Sequence, residues 1–143
     1  MSDSAATRTP RETVELLLRT VVHGRRTEIA DLYSEDVRIE SPWAPEGVPR
    51  EAVGRENLRA RMALTEKLWS FDSVRDAAIH QTADPQVIVL EYRLNATVLD
   101  PGAKFSLGFV SILRIVDGLI VSSRDYSNPL ETAQVAKLVS FEA

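Results

Sequence analysis

Apolar residues recur with the period of a helix in the first part of the chain and alternate with the period of a strand in most of the rest. Val14, Leu17, Leu18, Val21 and Val22 stand at helical spacing behind Thr9-Pro10, a cap followed by a proline in the first turn. They predict a first helix that ends at Gly24. Ile29, Ala30, Leu32 and Tyr33 predict a second, short helix over 27–33, broken by Ser34-Glu35-Asp36. Val37, Ile39 and Ser41 then alternate with Arg38 and Glu40 as a half-buried strand does, and Pro42 stops that strand. Residues 43–53 hold Pro45, Gly47 and Pro49 and read as a loop, the natural lid; Gly54-Arg55-Glu56 opens a third helix that runs to about Trp69.

Extended segments are predicted over 71–82, 86–99, 104–116 and 119–127. Ala83-Asp84-Pro85, Asp100-Pro101-Gly102 and Asp117-Gly118 separate them as hairpin signals. A last helix covers 129–138. Three helices followed by an antiparallel meander predict an α+β domain. The expected form is a cone-shaped α+β barrel, a curved and mostly antiparallel sheet wrapped around three N-terminal helices, with a pocket on its concave side. Residues 1–9 are expected to be flexible and 10–143 to form the single domain.

Composition narrows the chemistry. The chain has 143 residues, enough for one core, with 44% hydrophobic content. A formal net charge of -4 argues against a nucleic-acid partner. Cysteine is absent and the histidines are His23 and His80, so disulfides and a histidine-based metal site are not expected, and no cofactor is implied. With no apolar run of membrane-spanning length and no apolar leader at the N-terminus, no membrane association and a cytoplasmic location are expected.

Ser123-Arg124-Asp125-Tyr126-Ser127-Asn128-Pro129-Leu130, Leu32-Tyr33-Ser34-Glu35-Asp36-Val37 and Gly54-Arg55-Glu56-Asn57-Leu58 follow an order and spacing that resemble the SnoaL-like, nuclear-transport-factor-2-like superfamily. Ketosteroid isomerases, limonene-epoxide hydrolases, polyketide cyclases and phenazine biosynthesis A/B proteins belong to it. The resemblance spans roughly 11–138 and implies the pocketed α+β fold, an apolar small-molecule ligand and, by analogy, a homodimer.

Residue by residue, the resemblance removes more than it adds. Where the isomerases carry a general-base Asp before a proline, this chain has Ser41 before Pro42; their oxyanion-stabilising Asp and Tyr fall on Ser111 and Leu17. Steroid isomerisation by that mechanism is excluded. The epoxide hydrolases' last-strand motif is intact as Arg124-Asp125-Tyr126, while their Arg-x-Asp pair reads Arg93-Leu94-Asn95, and an amide cannot protonate an epoxide oxygen. The phenazine proteins share Thr82-Ala83-Asp84-Pro85 and an acid at the place of Asp125, and their histidine falls on Arg61. Asp125 recurs in both likenesses.

Alternation puts Ser123, Asp125 and Ser127 on one face, which the isomerase likeness turns inward; Asp125 would then have a raised pKa unless Arg93 compensates, and otherwise it is an outward ion-pair residue. Arg93 and Asn95 are pulled two ways. The epoxide-hydrolase likeness wants them in the pocket, whereas Leu90, Tyr92, Leu94, Ala96 and Val98 make the opposite face of their strand the core face. Trp43 is either a stacking residue at the pocket mouth or packing beneath the loop. Tyr33, Ser41, Arg61, Phe109, Ser111 and Ser123 are candidate pocket residues, with Trp69 a further candidate more simply read as core. Phe105, Leu107, Leu113 and Ile115 share the face of Ser111. His23 and His80 read as structural, and Arg25, Arg26, Arg55 and Arg59 as solvated.

The function these features predict is a cyclase or isomerase of secondary metabolism, acting on an apolar polyketide-like intermediate in an enclosed pocket with Asp125 as acid/base, aided by Arg93 and Asn95. The alternatives are a non-catalytic ligand-binding or accessory protein and an atypical epoxide hydrolase.

Overall fold

A computed structural model describes residues 7–138; 1–6 and 139–143, the ends of the expected flexible segment and of the expected domain, lie outside the described residues. Helix α1 (Pro10–His23) starts on a reciprocal cap, in which Glu12 N–H donates to Thr9 Oγ1 at 3.1 Å and Thr9 N–H to Glu12 Oε1 at 2.8 Å. Thr9, and Arg8 beside it, are therefore held: Arg8 donates to the Gly118 carbonyl at 2.9 Å, and buried Thr13 donates to the same oxygen at 2.8 Å. The second helix is a 3₁₀ helix, Arg26–Leu32. Helix α2 covers Arg55–Thr65, stopping short of Trp69, and α3 covers Pro129–Leu138.

Six strands form one sheet: β1 (Tyr33–Glu40), β2 (Glu51–Val53), β3 (Trp69–Gln81), β4 (Val87–Val98), β5 (Lys104–Val116) and β6 (Leu119–Ser127). Their order is β2-β1-β6-β5-β4-β3, so the sheet is open, with β2 and β3 as edges, and it is not a closed barrel. The meander from β3 to β6 is antiparallel as the hairpin signals predict. At the last of them, Asp117 and Gly118 take φ of 51° and 76°, the pair of left-handed residues that a tight two-residue hairpin requires. Two features depart from expectation. β1 joins the sheet parallel to β6, and the end of the proline-rich segment becomes β2, paired with β1 through Ile39 and Ala52.

The sheet curves where β3 slips register, between Phe71 and Ser73 and again between Arg75 and Ala78. The second slip lies opposite Tyr92, and Asp76 within it has a φ of 56°. α1 crosses the concave face, touching β3, β4, β5 and β6, while the 3₁₀ helix and α2 close the side next to β1. Val14, Leu17, Ile29, Leu32, Ile88 and Leu90 meet there as part of the main core.

Arg26 corrects the expectation of a solvated loop. It is 6% exposed, lies 3.7 Å over the Phe71 ring, and donates to the Trp69 carbonyl at 2.6 Å. A guanidinium survives burial by stacking and by carbonyl acceptors, and here it ties the start of the 3₁₀ helix to β3.

Candidate active site

β4 settles which way its side chains point. Ile88, Leu90, Leu94, Ala96 and Val98 are buried, so the pleat turns Arg93 and Asn95 to the outer face. Arg93 donates there to Ser106 and Glu131, at 3.2 and 3.0 Å, and Asn95 donates to Ser73 at 2.9 Å. Neither joins Asp125, because the apolar row of the strand outweighs the polar row in choosing the core face. Gly108, paired with Arg93 across β4 and β5, leaves the room in which that guanidinium lies; a Cβ at Gly108 would stand 2.8 Å from Arg93 Nη2.

A cavity of about 270 Å³ opens on the concave side. Leu17, Leu18 and Val21 of α1 wall it, with Leu58, Arg61 and Met62 of α2, Phe71 of β3, Leu90, Tyr92 and Leu94 of β4, Tyr33, Ile39, Phe109, Ser111 and Asp125 from β1, β5 and β6, and Ser41 just beyond the end of β1. Of the candidates taken from the sequence, Tyr33, Ser41, Arg61, Phe109, Ser111 and Asp125 therefore meet at one place. Trp43 is 58% exposed and makes a T-shaped contact with Tyr126, ring centroids 4.8 Å apart, in a groove on the other side of the sheet. Trp69 packs edge-on against Phe105, apart from the cavity lining.

Asp125 is held from two strands. Ser123, two residues earlier on the same face of β6, donates to its Oδ1 at 2.5 Å, and Ser111 is its partner across the ladder to β5. Burial raises the pKa of Asp125 above the ordinary carboxyl value; the hydroxyls of Ser123 and Ser111, and then the charge of Arg61, oppose that rise without cancelling it. The carboxyl is thus a proton acceptor stronger than an exposed aspartate.

Tyr33 and Tyr92 flank it. Burial first, and the negative charge of Asp125 second, push both phenols up, so they stay neutral hydrogen-bond donors across the physiological range. Neither hydroxyl has a hydrogen-bond partner among the described residues. Tyr92 also stacks on Phe109, with centroids 5.3 Å apart. The sequence places Tyr92 on the core face of its strand but gives no sign that its hydroxyl reaches a cavity; the bulge opposite it in β3 is a long-range feature. Among the described residues no group of three acidic or histidine side chains clusters as a metal site would require.

The model of the SnoaL-like domain matches residues 14–123. The chain belongs to this family. An uncharacterised PhzA/B-like protein of Pseudomonas aeruginosa is 31% identical over 113 residues, 79% of this SnoaL-like chain and 79% of its own. A solved structure from Bacillus subtilis, of a protein provisionally named an isomerase, superposes with a TM-score of 0.82 at 25% identity, covering 92% of this chain and 94% of that one. One from Silicibacter, provisionally named a polyketide cyclase, gives 0.73 at 25% identity over 93% and 96% of the respective chains. The SnoaL-like frame therefore carries the cavity, with Asp125 as the acid inside it.

Proposed function

We propose that this SnoaL-like chain is a cyclase or isomerase that moves a proton on a small apolar metabolite of the polyketide-like kind, within the cytoplasm. The observation that carries this reading is the Asp125 carboxyl, set in an apolar cavity and made more basic by burial. An ionised Asp125 takes a proton from a carbon beside a carbonyl, and the electron pair of the broken C–H bond moves onto the carbonyl oxygen as an enolate. The phenols of Tyr33 and Tyr92 stabilise that oxygen by donating to it, supplying what Leu17 and Ser111 do not. The enolate then either takes the proton back at another carbon, an isomerisation, or attacks a second carbonyl of the same molecule, a ring closure in which Asp125 returns the proton to the new alkoxide. A closed apolar wall adds to the rate by holding a flexible chain near its reactive shape.

Similarity to proteins provisionally named isomerases and polyketide cyclases supports this class of reaction. Epoxide hydrolysis loses its support, since Arg93 and Asn95 turn away from the cavity. A purely binding role is the second reading, favoured by the serines and leucine that stand where related enzymes carry catalytic groups.

Deuterium exchange at the α-carbon of small cyclic ketones in D₂O, followed by NMR, tests the proposal. Wild type is expected to speed exchange, and Asp125→Asn to lose about 10²-fold or more of that acceleration. Equal exchange by both would leave only the binding role. The reading includes a homodimer through the outer sheet face, where Trp43 and Val110 are exposed; light scattering at the mass of a single chain overturns that part.

A further inference from the structure

The cavity has an outer neighbour. Between the proline-rich segment, β2 and α2 lies a second chamber of about 510 Å³, and Ile39, Ser41 and Arg61 border both spaces. Arg61 is therefore the only cation common to the two linings among the described residues. Its position follows from helical spacing: Leu58 and Met62, four apart, point into the cavity, and Arg61 sits at the margin of that stripe.

The arginines of α2 are not equivalent. Arg59 is paired with Asp31 at 2.8 Å and with Glu56 at 2.9 Å, and Arg55 with Glu56 at 3.2 Å. Arg61 makes neither a hydrogen bond nor an ion pair among the described residues. The one acid of the outer chamber, Glu51, is engaged by Arg38 at 3.5 Å. In a chain of net charge -4, an arginine at the junction of two chambers that feels Asp125 through space but is ion-paired to no carboxylate has its donors available to a ligand.

Size points the same way. Pockets for drug-sized ligands span roughly 300–1,000 Å³, and the inner cavity alone falls just below that range. One or two fused rings suit a space of that size, and the border that a longer ligand would share with the outer chamber is formed by Ile39, Ser41 and Arg61.

We infer that the ligand of this cavity is an apolar molecule bearing a carboxylate, which Arg61 binds at the junction while the ring system lies inside against Asp125. This rests on the reading of the cavity as the active site. Arginine suits the task because its fork of donors matches both oxygens of a carboxylate. A carboxylate there leaves the reacting carbon free to lie deeper, so Arg61 selects and orients and Asp125 reacts. It also partly offsets the charge with which Arg61 eases ionisation of Asp125, keeping the aspartate basic while the ligand is in place.

Isothermal titration with 2-naphthoate and with its neutral methyl ester, read beside amide chemical shifts in NMR, tests the assignment on the full chain. Wild type is expected to bind the acid about fivefold or more tightly than the ester, with the difference shrinking as salt is added. Arg61→Gln is expected to remove the difference while leaving ester binding unchanged, and Arg61→Lys to restore part of it. Because Arg61 is exposed, neither variant is expected to perturb folding. Equal affinities for acid and ester in wild type, or equal loss of both in Arg61→Gln, would overturn the carboxylate assignment and leave the cavity reading standing. The amides of Tyr33 and Leu94 report occupancy of the cavity. Shifts confined to Glu91 and Arg93 on the outer face, or no binding by either probe at millimolar concentration, would overturn the cavity reading and the assignment together.

Discussion

Asp125 and Glu131 lie close in sequence on opposite faces of the sheet, and their surroundings push them in opposite directions. Asp125 faces a cavity of mainly aliphatic and aromatic side chains, where burial outweighs two serine hydroxyls and the charge of Arg61, and its pKa rises. Glu131, in the first turn of α3, accepts the N–H of Gly108 at 3.1 Å and ion-pairs with Arg93 at 3.0 Å; the backbone donor first, and Arg93 after it, hold its carboxyl down. Pairing of β5 with β6 ends at Phe109 and Ser127, so Glu131 takes the place of the next strand residue. Burial makes one acid easier to protonate, and its partners hold the other in its charged form. Having an acid near the end of a strand says nothing about reactivity; the face it occupies does.

Changes on the two faces should separate cleanly. The largest contrast is in exchange chemistry: Asp125→Asn loses about 10²–10⁴-fold, whereas Glu131→Gln is expected to stay within about twofold of wild type, and a comparable loss in both would erase the distinction. In the same assay the wild-type rate should climb with pH through an apparent pKa above the 3.8 of an ordinary aspartate. Next in size is packing. Leu90→Ala, on the inner face of β4, should cost about 2–5 kcal/mol in urea unfolding, and Arg93→Ala on the outer face about 1 kcal/mol.

Stability against pH should then differ in sign. Asp125 has a folded pKa above its unfolded one, so its contribution is fully present below the unfolded pKa and is lost as pH rises through the folded value. Asp125→Asn is accordingly expected to melt higher than wild type at pH 7, with the gain fading on acidification. Glu131 is depressed, so its contribution is present above the unfolded value, near 4.5, and is lost as pH falls through the folded one. Glu131→Gln should melt lower at pH 7 and converge with wild type in acid. Melting curves at pH 7 and pH 3 that shift in the same sense for both variants would contradict this. The smallest effect belongs to His80→Gln, which breaks an exposed contact with Glu91 on the outer face and should change stability by no more than about 0.5 kcal/mol.

Local patterns made the meander legible. The alternation in β4, the Asp-Gly turn and the capped first helix all appear in the structure where the residues put them, because each is decided within a few positions. The inward apolar row of β4 also told correctly against Arg93 and Asn95 as pocket residues, where a motif likeness pulled the other way. What stayed hidden depends on distant partners. The parallel seat of β1 beside β6, the short strand made of Glu51, Ala52 and Val53, and the burial of Arg26 over Phe71 each need a neighbour outside their own stretch of chain. Tyr92 combines both cases: its side of the strand was readable, but its place in the cavity lining depends on distant partners, among them β3, whose register slips opposite it.

The order β2-β1-β6-β5-β4-β3 puts the strand of Asp125 in the interior of the sheet, while Phe71 comes from the edge strand β3 and Leu17, Leu58 and Arg61 from helices. The seat of the acid and the shape of the wall around it are therefore set by different elements. Exchanging Arg61 or Phe71 would reshape the wall, and the acid would still stand where β5 and β6 fix it.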